Sequence, residues 1–141
     1  MYKRYTLTAA PATARDSSLV LFGQNVAGLL IGDDLKKEIV VISAHYDHLG
    51  RAEGVVYPGA DDNGSGTATV LSIAAVFDSL AQAGIKPRRT LLFVLFSGEE
   101  RALIESQYFI ANSPVSPTQF VADLNVDMVG RVDSDHRRRP G

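Results

Sequence analysis

Four short segments of the chain hold the side chains whose types and spacing could do chemistry. They are His45 and Asp47 in "HYDHLG", Asp61 and Asp62 in "PGADDNGSG", Glu99 and Glu100 in "LFSGEE", and Asp127 in "LNVDMVG". An imidazole with several carboxylates is a hard donor set, suited to zinc, manganese or cobalt better than to copper or a cluster. Two metals would need a shared carboxylate, and Asp61 is the expected bridge. In the Glu99–Glu100 pair, neighbouring side chains point in different directions, so one can bind a cation while the other stays free to take a proton.

Each segment also has an ordinary structural reading. Asp47 and His45 lie on the same side of an extended backbone, where the carboxylate can orient the imidazole; the same residues also suit a plain surface turn, and His48 has only that reading. Asp62 or Asn63 can cap a helix while the glycines permit a tight turn. Glutamates in a first helical turn complement the macrodipole without chemistry. Asp127 ends an apolar strand, where burial would be costly without a cation or a donor. Gly64-Ser65-Gly66 lacks the lysine of a P-loop and the third glycine of a dinucleotide loop, and the adjacent carboxylates repel anions. No Gly-x-Ser-x-Gly elbow is present.

The elements that must position these residues can be read from hydrophobic pattern. "LVLF" from Leu19, "NVAGLLIG", "EIVVISA", "TLLFVLF" and "FVADLNVDMVG" are short Val- and Ile-rich runs bounded by turn residues, as strands are. "IVVISA" and "TLLFVLF" do not alternate, so they are expected to be central strands covered on both faces. Between them Val70, Ile73, Ala74, Phe77 and Leu80 recur at helical spacing, with Gly84 as terminator. A second helix is expected from about Arg101 to Asn112, stopped by "SPVSP". Every chemical segment thus follows a strand or opens a helix, and in open α/β sheets ligands bind outside the carboxyl ends of strands.

The expected fold is α/β: a three-layer sandwich with a mostly parallel or mixed central sheet flanked by helices. Residues 1–18 read as a peripheral arm, 19–130 as the catalytic part and 131–141 as a charged tail. A length of 141 residues and an apolar fraction of 45% suit one domain with a core. A net charge of -2 offers no concentrated positive field for nucleic acid or an anionic membrane surface. Cysteine is absent, which excludes disulfides and thiolate ligands. No apolar run approaches the ~20 residues of a membrane span, and "MYKRYTLTAA" lacks a leader's apolar core.

In order and spacing, "SAHYDHLG", "PGADDNGSG", "LFSGEE" and "NVDMVG" resemble the co-catalytic zinc aminopeptidase family of bacterial leucyl aminopeptidases, whose relatives include glutamate carboxypeptidase II and glutaminyl cyclase. The likeness covers about Asn25 to Gly130. It implies two zinc ions: His45 and Asp127 on one, Glu100 on the other, Asp61 bridging both. It further implies Glu99 as general base, Asp47 as the support of His45, and a cis Asp61–Asp62 peptide. The reaction implied is removal of an amino-terminal residue from a peptide with a free amino terminus.

The family's last ligand is a histidine well downstream of the Asp127 equivalent. His136 lies in the basic tail too close to fill that role, so the ligand is expected to be missing and the Glu100 site to be the weaker one. On this resemblance the chain is expected to be the amino-terminal part of a longer domain, prone to self-association through an uncovered sheet edge. Its relatives are usually exported, which implies a secreted or periplasmic location. The alternative is a catalytically inactive peptidase-like binding or scaffold domain; carboxypeptidase or cyclase chemistry is a third reading.

Overall fold

The computed structural model describes residues 3–8, 23–101 and 103–131. Strands β1 (Lys3–Thr8), β2 (Gln24–Leu30) and β3 (Leu35–His45) are followed by a small hairpin, β4 (Gly50–Ala52) with β5 (Val55–Tyr57). An irregular turn at Ala60–Ser65 leads into helix α1 (Gly66–Gln82), then strand β6 (Arg89–Phe96). A 3-10 turn at Glu99–Arg101, helix α2 (Ile104–Ala111) and strand β7 (Phe120–Asn125) complete the order.

The main sheet has five strands in the order β1-β2-β6-β3-β7. β6–β3 and β3–β7 are parallel, whereas β1–β2 and β2–β6 are antiparallel. The sheet is therefore mixed, and β6 and β3 are interior strands, as the unalternating runs predict. The two faces use alternate residues of the same strands. Ile39, Val41, Leu92 and Val94 meet Phe109 of α2 on one face; Ile42, Ala44, Leu91 and Phe93 meet Val70 of α1 on the other. With a period of two and helices on both sides, nearly all of both runs is buried, Val40, Leu95 and Phe96 being half-buried. Three layers result.

Several expectations change. Lys3–Thr8, read as part of a peripheral arm, forms the edge strand β1 in continuous register with β2. The strand expected at "LVLF" and the charged tail beyond Arg131, His136 included, lie outside the described residues. The second helix divides: Leu103, at φ 58, separates the 3-10 turn from α2. Contrary to the reading of apolar runs, Ala60–Gln82 is by length and composition apolar enough to cross a membrane, at 23 residues with mean hydropathy 1.2. In the fold it is broken at Asp62 and Asn63, and its α1 part packs Val70, Ile73, Ala74 and Phe77 on the sheet. At the other end of the sheet, β7 has no partner on its outer side among the described residues, and Val121 and Leu124 are exposed.

Because β3, β6 and β7 run parallel, their carboxyl ends share one edge. His45 ends β3, Glu99 and Glu100 follow β6, and Asp127 follows β7. The turn before α1 joins the same edge through Asn63, which is buried. Its amide donates to the Val126 carbonyl (2.8 Å), and its oxygen accepts from the Gly66 amide (2.9 Å) at the start of α1. Asn63 thus fills the capping role foreseen for Asp62 or Asn63 and ties the turn to the end of β7. Gly66 is required there, since a Cβ would collide with both the Asn63 side chain and the Val126 carbonyl.

Candidate metal and active site

His45 is the buried centre of the site, with 5% of its side chain exposed. Its Nδ1 lies 3.1 Å from the backbone carbonyl of Asp47. A carbonyl can only accept, so Nδ1 carries the proton and Nε2 presents a lone pair. That Nε2 is buried and makes no hydrogen bond, yet it stands 3.2 Å from Asp62 Oδ1 and 3.6 Å from Asp127 Oδ1. A lone pair held against two carboxylates is repulsive unless a positive charge lies between them.

A second group adjoins the first. His48 Nδ1, also buried and without a hydrogen bond, lies 2.9 Å from Glu100 Oε1 and 3.9 Å from Asp62 Oδ2. Within each group the ligand atoms all lie within 4.8 Å of one another. Tetrahedral coordination at zinc bond lengths separates ligand atoms by roughly 3.3–3.6 Å, inside the range seen at both groups. Asp62 belongs to both, one oxygen to each. Orphaned imidazole nitrogens, hard oxygens and tetrahedral spacing fit a divalent cation in each group.

The carboxylate that faces both groups is that of Asp62, and not that of Asp61, of which the bridge was expected. At Asp62 the backbone leaves the helical region (φ -106, ψ 92), turning its carboxylate toward His45 and that of Asp61 away. Asp61 instead accepts from the Gly130 amide (2.8 Å), Ser65 Oγ (3.2 Å) and Arg131 (3.0 Å). Partial desolvation pushes its pKa up, but the Gly130, Arg131 and Ser65 donors outweigh this and hold it below the ordinary carboxylate range. The cis peptide is likewise one bond later than expected, at Asp62–Asn63.

The remaining expected residues do assemble here. Asp127 meets His45, although it is half exposed, so proximity and not burial argues for a cation. Glu100 meets His48. Asp47 serves His45 chiefly through its backbone carbonyl, its carboxylate standing 3.5 Å away. That carboxylate accepts the amide of Glu99 at 3.2 Å. Glu99 lines a cavity of about 380 Å³ together with His45, Asp127, Phe96, Leu103 and Ile110. An acid beside the cation group, on an apolar-walled cavity, is placed to exchange protons with a bound molecule.

Sequence reasoning did not foresee that His48 lies against Glu100. Its only signal is a second imidazole three residues after the first, which matters only once the chain leaving β3 turns back toward Glu100.

Residues 25–137 match peptidase family M28. The chain belongs to peptidase family M28. This M28 chain is 38% identical over 96 residues to a probable leucine aminopeptidase of Arthroderma otae, covering 67% of this chain and 27% of that protein. It resembles the crystal structure of a zinc aminopeptidase from Bacillus subtilis at TM-score 0.61 and 32% identity, covering 76% of this chain and 24% of that one. It also superposes on a glutaminyl cyclase of Bacteroides thetaiotaomicron at TM-score 0.69, covering 90% and 49% of the two chains; at 21% identity this likeness concerns the fold alone. The M28 chain spans about a quarter of the length of the curated relatives it matches.

Proposed function

We propose that this chain forms the metal-binding and proton-transfer part of an aminopeptidase that holds two zinc ions. The observation that carries the reading is the disposition of Asp62, whose Oδ1 faces His45 and whose Oδ2 faces the His48–Glu100 group. A carboxylate that presents one oxygen to each group would suit a pair of cations. His45, Asp62 and Asp127 would hold one ion; Asp62 and Glu100 would help to hold the other. The names of the relatives support zinc and an amino-terminal peptide substrate.

Bound there, the cations supply charge that polarises the first peptide carbonyl and acidifies a water. Glu99 removes the proton from that water as oxygen adds to the carbonyl carbon. The same carboxyl then returns it to the departing nitrogen as the C–N bond breaks, leaving a free amino acid and a peptide shortened by one residue. Asp47, through the Glu99 amide, holds this acid at the cavity wall. Phe96, Leu103 and Ile110 offer an apolar wall beside the reacting carbonyl.

The test is Glu99→Gln in the protein that carries this chain, assayed on aminoacyl amides with metal content measured in parallel. Turnover is expected to fall by about 10²–10⁴-fold with metal retained. Wild-type turnover in the variant would remove Glu99 from the role. Hydrolysis of amino-blocked peptides as readily as free ones would overturn the aminopeptidase assignment, and bound metal without any turnover would favour a binding domain.

A further inference from the structure

Asp62 and Asp127 come from different loops, and their own side chains do little to fix where they stand. They are 40% and 47% exposed, so packing does not hold them, and as like charges they repel each other beside His45 Nε2. Their places must be set by the backbone beneath them. We propose that Asn63 is the positioning residue that sets the spacing of Asp62 and Asp127 against His45. The proposal rests on the reading of that group as a cation site given above.

Three observations carry it. First, Asn63 directly follows Asp62, yet its side chain is bonded to both residues that flank Asp127. Its amide donates to the Val126 carbonyl at 2.8 Å, and its oxygen accepts from the Met128 amide at 3.3 Å. Second, Asn63 is 1% exposed, so water does not compete for these bonds, and a buried amide engaged at both ends has little freedom to turn. Third, the link is anchored on both sides. The Asn63 oxygen also accepts from the Gly66 amide at the start of α1, and Val126 donates its own amide to the Ser43 carbonyl of β3 at 2.8 Å. One residue further along α1, Thr67 Oγ1 donates to the His45 carbonyl at 2.9 Å.

The start of α1 thus holds the backbone at His45 and on either side of Asp127, and the turn that opens it carries Asp62. Without the Asn63 amide group, the Val126 carbonyl and Met128 amide lose their common partner, and the two acids relax apart under their mutual repulsion. The loop itself stays attached, because Ser65 Oγ accepts the Val129 amide and Asp61 accepts the Gly130 amide further out. Asn63 touches no reacting atom; it acts through Asp62 and Asp127.

The test is Co²⁺ titration, followed by visible absorption, of the protein that carries this chain as wild type, Asn63→Ala, Asn63→Asp, Asp62→Asn and Val70→Ala. Val70 is a core residue of α1 and reports the effect of destabilisation alone. Asn63→Ala is expected to weaken Co²⁺ binding about 10- to 100-fold and to alter the spectrum of the bound ion, while Val70→Ala binds as wild type does. Asn63→Asp keeps the acceptor for both amides and loses the donor to Val126; it is expected to recover part of the affinity, and it carries the test if Asn63→Ala does not fold. Wild-type affinity and spectrum in either Asn63 variant, with Asp62→Asn impaired, overturn the role of Asn63 and leave the cation site intact. Equal weakening in Val70→Ala also overturns that role, since the effect is then general loosening. Wild-type binding in Asp62→Asn overturns the cation site itself, and the role of Asn63 with it.

Discussion

The carboxylate of Asp47 accepts the backbone amide of Glu99 at 3.2 Å, across 52 positions of sequence. The bond joins the loop after β3 to the loop after β6. Since the Asp47 carbonyl also receives His45 Nδ1, one residue sets both the imidazole and the proton carrier. Asp47→Ala leaves the Glu99 amide without its acceptor, and kcat is expected to fall about 10- to 100-fold with little change in KM. Asp47→Asn keeps an oxygen there and is expected to recover part of the loss. A steady-state comparison of the two variants checks this.

Asp61 and Asp62 are adjacent and alike, but they occupy different environments. Asp62→Asn is expected to abolish binding of the second zinc equivalent and to weaken the first by about tenfold or more. Asp61→Asn is expected to leave both in place and to lower stability slightly, since it loses a charged acceptor for Gly130 and Arg131. Equilibrium dialysis against zinc separates the two outcomes.

Asp61 also has a consequence for acid stability. Its hydrogen bonds hold the folded-state pKa below the ordinary value, so the unfolded chain takes up the proton first as pH falls. The stabilisation is fully present above the unfolded pKa of about 3.9 and is lost as pH drops through the lower folded value. Urea midpoints of wild type and Asp61→Asn should therefore differ at pH 6 and converge in strong acid.

Phe109 is 1% exposed and stacks edge-on against Phe96 with centroids 5.6 Å apart. It packs α2 against Leu92 and Val94 of the sheet. Phe109→Ala is expected to cost about 3–5 kcal/mol, measured by urea unfolding. Because Phe96 and Leu103 line the cavity beside Glu99, the same variant is expected to raise KM.

Much of this architecture was legible in the chain because burial leaves a compositional trace. "IVVISA" and "TLLFVLF" had to be covered on both faces, and the alternating contacts of Ile39 and Val41 with one helix, Ile42 and Ala44 with the other, are what that pattern encodes. The hairpin β4–β5 left no such trace, since all six of its residues are exposed. Edge strand β1 was hidden as well: its place depends on pairing with β2, and no local period announces a partner.

The site divides along the same line. From sequence alone came its location at the strand ends, its donor chemistry and the membership of His45, Glu99, Glu100 and Asp127, because those residues follow recognisable apolar runs. Which aspartate of the pair faces both histidines, and that His48 lies beside Glu100, was decided only in three dimensions. Two neighbouring aspartates are chemically identical in a sequence, and what distinguishes them is the backbone rotation at Asp62 that sends one carboxylate to the imidazole and leaves the other with Gly130.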